Sequence, residues 1–121
     1  NKLVKKYDKL LKPLFPIINP VKKYSHSDTS YHLYVILIEF NDLKISRAEL
    51  IKLLKDKNIG VQVHYPPLHL QKIYGSNLVL KGSEEYFSKC LSVPLFPQLS
   101  NDELNYIVDV FTVIIKEYKK K

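Results

Sequence analysis

Leu3, Tyr7, Leu10, Leu11 and Leu14 recur at steps of three and four, with Lys2, Lys5, Lys6, Lys9 and Lys12 between them. That period places the apolar groups on one side of a helix and the ammonium groups on the wet side, and Pro13 ends it. Pro16 and Pro20 fix φ and remove donors across Phe15 to Val21, which predicts an extended segment along a sheet edge. After the polar linker Lys22 to Ser30, the stretch Tyr31 to Phe40 is dense in aromatic and β-branched residues, apolar at odd and even positions alike, and reads as a central strand. Ser46 and Glu49 form a capping box for a helix that turns Leu50, Ile51 and Leu54 inward and stops near Asn58-Ile59-Gly60.

Val61 to Tyr65 alternates apolar and polar, as a half-buried strand should, until Pro66-Pro67 stops pairing and an irregular loop runs to Gly75. Gly82-Ser83 opens a short predicted helix with Tyr86, Phe87, Cys90 and Leu91 on one side, and Val93 to Phe96 reads as a short extended piece. A second capping box, Ser100 to Glu103, starts the last helix, in which Leu104, Ile107, Val108, Phe111, Ile115 and Tyr118 follow the 3.6 period. The expected fold class is α+β, with helices packed on a small sheet.

Composition narrows the reading. With 121 residues, 45% hydrophobic and 26% charged, the chain has the make-up of one ordinary domain, a linking helix at 1–14 and an α/β body at 15–121. No apolar run approaches the roughly 20 residues needed to cross a bilayer, so no membrane association is expected. Cys90 stands alone, which excludes an intrachain disulfide and favours a reducing compartment, the cytoplasm. Methionine is absent and the first residue is Asn, so the chain is expected to be a piece of a longer polypeptide.

The formal charge is +7, and its distribution matters more than its size. Residues 1–23 hold seven Lys and one Asp, residues 116–121 hold four Lys and one Glu, and the stretch between is slightly acidic. Only Arg47 is an arginine, although planar bidentate forks are what phosphate and guanine recognition usually exploit. A solvated lysine-rich surface is therefore expected rather than a nucleic-acid face.

Candidate chemistry is sparse. His64 and His69 are separated by a spacing of five with no third ligand nearby, so no metal site is expected. His32 on the predicted strand reads as a hydrogen-bonded structural residue, and Cys90 on the predicted helix as a buried, inert thiol. Glu84-Glu85 and Asp102-Glu103 lie in first turns of predicted helices, where negative charge favours capping. Gly60, Gly75 and Gly82 are the only glycines, so neither a phosphate loop nor a nucleophile elbow is present, and no catalytic residue is assigned. What stands out is Val63 to Tyr74, an aromatic and imidazole-rich loop stiffened by Pro66-Pro67 at a strand end, a place suited to line a polar ligand site or simply to cover the core.

Three stretches in register carry a resemblance: Ser30-Tyr31-His32-Leu33-Tyr34-Val35, then Gly60-Val61-Gln62-Val63-His64-Tyr65-Pro66-Pro67-Leu68-His69-Leu70-Gln71, then Leu91-Ser92-Val93-Pro94-Leu95-Phe96-Pro97-Gln98-Leu99-Ser100. Together they resemble the C-terminal region of nucleotide-sugar aminotransferases of the DegT/DnrJ/StrS type. Lys72 departs from the proline frequent after the Gln, and Lys81-Gly82-Ser83-Glu84 from a Phe-Pro-x-Ala-Glu-like stretch. The resemblance covers essentially the whole chain but only about the last third of such an enzyme. It implies the small, mainly antiparallel sheet covered by helices of the C-terminal domain of fold-type I aminotransferases.

It also implies a division of labour. In such enzymes a large N-terminal domain carries the Schiff-base lysine, the acidic partner of the pyridine nitrogen and most phosphate contacts for pyridoxal phosphate, so that domain is expected upstream and this chain alone is expected to bind no cofactor and not to transaminate. The small domain closes one wall of the cleft while an amino group passes from an amino-acid donor to a keto-sugar nucleotide, in polysaccharide or amino-sugar biosynthesis. By the same resemblance His64, Tyr65 and His69 are expected to bind the sugar nucleotide or shape its pocket, and the parent enzyme is expected to be a homodimer. Two other readings stay open: a free-standing, non-catalytic binding module that keeps the fold, and a lysine-rich nucleic-acid binder.

Overall fold

The computed structural model describes residues 2–75 and 77–121. Four helices, α1 (Lys2–Leu11), α2 (Arg47–Asp56), α3 (Lys81–Lys89) and α4 (Asn101–Tyr118), surround a sheet of β1 (Ile18–Pro20), β2 (Tyr34–Ile38) and β3 (Cys90–Val93). The strand order is β1-β2-β3, antiparallel throughout, so the fold is α+β as expected. Proline-bounded β1 lies at the edge, where a missing N–H costs no ladder bond.

Register fixes which side chains reach the core. Ile36 faces Leu91 and Tyr34 faces Val93 across β2 and β3, and these four join the main hydrophobic cluster together with Ile18 and Ile38. By strand alternation Cys90 and Ser92, both buried, point to the opposite face. Leu50 and Leu54 of α2 and Leu104, Ile107, Val108, Phe111, Ile114 and Ile115 of α4 complete the cluster. The amphipathic first helix contributes Val4, Tyr7 and Leu11 and packs on α4, while α3 packs on β2. Tyr7 stacks on Tyr34 at 4.8 Å and donates to the Pro94 carbonyl at 2.8 Å, and Tyr34 donates to Asp8 at 2.7 Å, tying α1 to the sheet through both ends of this ring pair. Among the described residues no helix is long and apolar enough to cross a membrane.

Three elements differ from the pattern-based expectation. The central strand is Tyr34–Ile38 rather than 31–40, because its partners supply only three and four residues of ladder, and His32 falls on an exposed bend outside it. Helix α3 ends at Lys89, and Cys90 and Leu91 begin β3 instead of continuing the helix. Arg47 makes that abrupt exit possible: its guanidinium donates to the Phe87 carbonyl, and to that of Cys90 at 3.4 Å, satisfying acceptors that a following turn would otherwise take up. The half-buried strand expected at 61–65 is reduced to one bridge, Gln62 with Ser92, since Pro66 and Pro67 supply no donors to extend it.

Both capping boxes are complete. Ser46 and Ser100 accept from the Glu49 and Glu103 amides, and each glutamate carboxylate accepts from the serine amide in return. Hydrogen bonding from the two serines holds both carboxyls below the ordinary glutamate range, the Ser46 amide being the main cause at Glu49 and the Ser100 hydroxyl, ahead of its amide, at Glu103. A carboxyl lowered on folding stabilises above its unfolded pKa, and the contribution is lost as pH falls through the folded value. Ser100→Ala is expected to cost about 1 kcal/mol in urea unfolding. The Glu49→Gln, Glu103→Gln double variant should show a flatter loss of stability through the acidic range than the parent chain, read from urea midpoints at stepped pH.

Candidate functional site

The site is built from the end of α2 forward. Asn58 takes a left-handed conformation with φ of 58°, and the amides of Asn58 and Ile59 bond back to the Lys55 and Leu54 carbonyls at 2.9 Å each. This is the Schellman arrangement: it closes the helix and sends the chain back along the outer edge of β3, with Ile59 buried beneath the turn. There Gln62 and Ser92 exchange backbone hydrogen bonds of 3.1 and 2.7 Å. Two residues on, the half-buried His64 sets Nδ1 3.0 Å from the Ser92 hydroxyl. His64, Ser92, Gln62 and Gly60 line a shallow cleft of about 300 Å³.

Tyr65 follows through a cis peptide, and its ring meets that of His64 edge-on at 4.9 Å. It is 74% exposed, so its hydroxyl is available to a ligand. His69 takes a different course. It sits on a turn of 3-10 helix at Leu68–Leu70, is only 9% exposed, and places Nε2 2.9 Å from Glu84 Oε1. The same carboxylate oxygen accepts from the Leu80 amide at 3.0 Å, so one glutamate in the first turn of α3 fastens both limbs of the loop. His69 first and the Leu80 amide second hold the Glu84 carboxyl below the ordinary range. Thus His64 and Tyr65 stand side by side, while the third expected residue turns inward.

Along this loop Tyr65, Leu68, Leu70, Ile73, Tyr74 and Val79 remain exposed, close together in sequence rather than scattered singly. Cys90 lies buried behind the site, its thiol pushed up by burial and directed at the Phe87 carbonyl 3.6 Å away, an environment opposed to nucleophile formation. Among the described residues no group of three His, Cys, Asp or Glu side chains could hold a metal ion.

Two members of this arrangement escaped the sequence reading. Ser92 carried a detectable sign, a lone hydroxyl between Leu91 and Val93 in an apolar run, whereas the pairing of Glu84 with His69 spans fifteen positions and left no local trace. Glu84→Ala is expected to accelerate amide exchange at Leu80 and across 68–74 while β2 keeps its protection, measured by hydrogen exchange. Unchanged exchange in the loop would mean that the apolar contacts alone hold it.

Comparison with known proteins places this geometry in context. The profile of the DegT/DnrJ/EryC1/StrS aminotransferase family matches residues 1–112. The uncharacterized protein MJ1066 of Methanocaldococcus jannaschii is 32% identical over 120 residues, 95% of this chain and 31% of its own length. The spore coat polysaccharide biosynthesis protein SpsC of Bacillus subtilis is 30% identical over 104 residues, 79% of this chain and 27% of its own. The solved structure of Spr1654 from Streptococcus pneumoniae in its PLP form superposes with a TM-score of 0.77 and 27% identity, covering 96% of this chain and 30% of that one. The chain therefore spans about 30% of the length of the proteins it matches. With sequence and fold in agreement, this chain belongs to the DegT/DnrJ/EryC1/StrS aminotransferase family.

Proposed function

We propose that this chain is the C-terminal domain of a pyridoxal-phosphate-dependent aminotransferase that transfers an amino group from an amino-acid donor to a keto-sugar nucleotide in polysaccharide or amino-sugar biosynthesis. Family membership and the polysaccharide-biosynthesis name of one relative support the reading. The observation that carries it is the pairing of a fixed imidazole in a cleft wall with an exposed phenol, His64 held by Ser92 and flanked by Tyr65, beside a loop whose apolar groups are largely exposed among the described residues. Such a surface suits one wall of a site completed elsewhere.

The two lysines of this chain that are ion-paired among the described residues do not fit the cofactor. Schiff-base chemistry needs an amine that can shed its proton. Lys89 lies between Glu85 and Glu39 at 2.9 and 3.0 Å and Lys23 against Asp8, and these carboxylates push both ammonium groups up. Gly60, Gly75 and Gly82 are dispersed over separate segments and build no phosphate cradle. We assign cofactor binding to a large domain outside this chain, packed on the exposed loop, and the working enzyme to a homodimer.

Within that assembly His64 and Tyr65 offer hydrogen bonds to the sugar nucleotide. His69, fastened to Glu84, holds the loop that shapes the pocket. The apolar groups from Tyr65 to Val79 keep water from the reacting region. The rival reading, a free-standing binding module, draws on the same uncovered loop, and the mass of the protein in its source separates the two. In the complete protein, His64→Ala should lower kcat/KM for the keto-sugar nucleotide about tenfold, the worth of one hydrogen bond to a polar ligand. The visible absorbance of the cofactor should stay unchanged, and unaltered kinetics would remove His64 from the site.

A further inference from the structure

We infer that Ser92 is a positioning residue that locks His64 in the neutral tautomer carrying its proton on Nε2, so that the ring presents a hydrogen-bond donor to the cleft. The inference rests on the proposed reading only for the identity of what His64 meets, an oxygen of the sugar nucleotide.

The argument begins with the serine. Ser92 is 6% exposed and its backbone groups are already spent on Gln62. Among the described residues, His64 Nδ1 is the one hydrogen-bonding partner of its side-chain oxygen, at 3.0 Å. A hydroxyl has one proton to donate, and leaving a buried donor unpaired costs as much as the bond is worth or more. If Nδ1 carried the ring proton, it would donate to Ser92, and the serine proton would have no described acceptor. If Nδ1 is bare, the serine donates to it and nothing is left over. The second arrangement forces the ring proton onto Nε2.

The surroundings agree. A neutral histidine is usually driven to protonate the nitrogen that faces a carboxylate or carbonyl, and no described bond brings one to Nδ1 of His64. The loop's carboxylate, Glu84, is taken by His69, and the Cys90 thiol approaches the backbone carbonyl of His64 at 4.0 Å rather than its ring. Tyr65 covers the ring edge-on and adds no acceptor at Nδ1. Backbone placement is equally firm, since the Gln62–Ser92 bridge holds the two segments in register two residues before the ring.

The consequence concerns specificity. A ring fixed in this state recognises acceptors such as sugar hydroxyl, carbonyl or phosphate oxygens and offers no lone pair to a ligand donor at Nε2. In this role Ser92 acts through His64.

The test is nitrogen-15 NMR of the His64 ring in the 121-residue chain. The expected result is a protonated, pyrrole-like Nε2 and a bare, pyridine-like Nδ1. Ser92→Ala should move both signals toward the averaged values of a free tautomer mixture, and Ser92→Thr should restore them. A protonated Nδ1, or a mixture already present in the parent chain, overturns the inference without reference to any variant. In the complete protein Ser92→Ala is expected to raise KM for the keto-sugar nucleotide about three- to tenfold with kcat nearly kept. If the ring proves locked while both Ser92→Ala and His64→Ala turn over normally, the tautomer assignment stands and the substrate-binding reading of His64 falls.

Discussion

Strand β3 is the constraint on which the rest of the molecule depends. Its four residues are all buried, so every amide and carbonyl along it must find a protein partner. Antiparallel β2 takes one edge, and the bridge to Gln62 takes the other at Ser92. Leu91 and Val93 then anchor the main core while Cys90 and Ser92 are left on the far face, outside the main hydrophobic cluster. The candidate site is the set of groups that satisfies this second face: a histidine for the serine, a returning backbone for the strand edge, and α3 overhead.

Much of this was written in local patterns, and where it was not, the reason is specific. Both capping boxes, the amphipathic first and last helices and the proline-bounded edge strand rest on interactions within a few positions, so composition and period reveal them. The exit from α3 into β3 does not. Tyr86, Phe87, Cys90 and Leu91 keep a helical period through the boundary, and only a guanidinium forty residues upstream and the open edge of β2 decide that the helix ends. The same holds for His32, whose neighbours have strong strand preference but whose partners run out before the ladder reaches it.

The site itself was legible as a place before it was legible as a mechanism. His64, Tyr65 and His69 fall within one short loop, and the sequence offers no means of telling them apart. Tertiary contacts separate their duties. His64 is held in a cleft wall by a buried hydroxyl, Tyr65 is left open, and His69 is spent on a carboxylate across the loop. Two imidazoles five positions apart therefore have different partners: one is held half-buried against a serine hydroxyl, the other is buried against a carboxylate that fastens the loop.

Arg47 carries a consequence for how such a chain can change over time. Eighteen lysines supply its positive charge, and most of those positions would tolerate exchange for one another. The single arginine does two things at once, stacking 4.8 Å from the centre of the Phe87 ring and spanning the carbonyls at the helix-to-strand corner. An ammonium has the charge for this post but lacks the flat, forked shape. Exchange of a cation for lysine meets a fixed point there, and the corner it guards leads directly into the strand that holds Ser92.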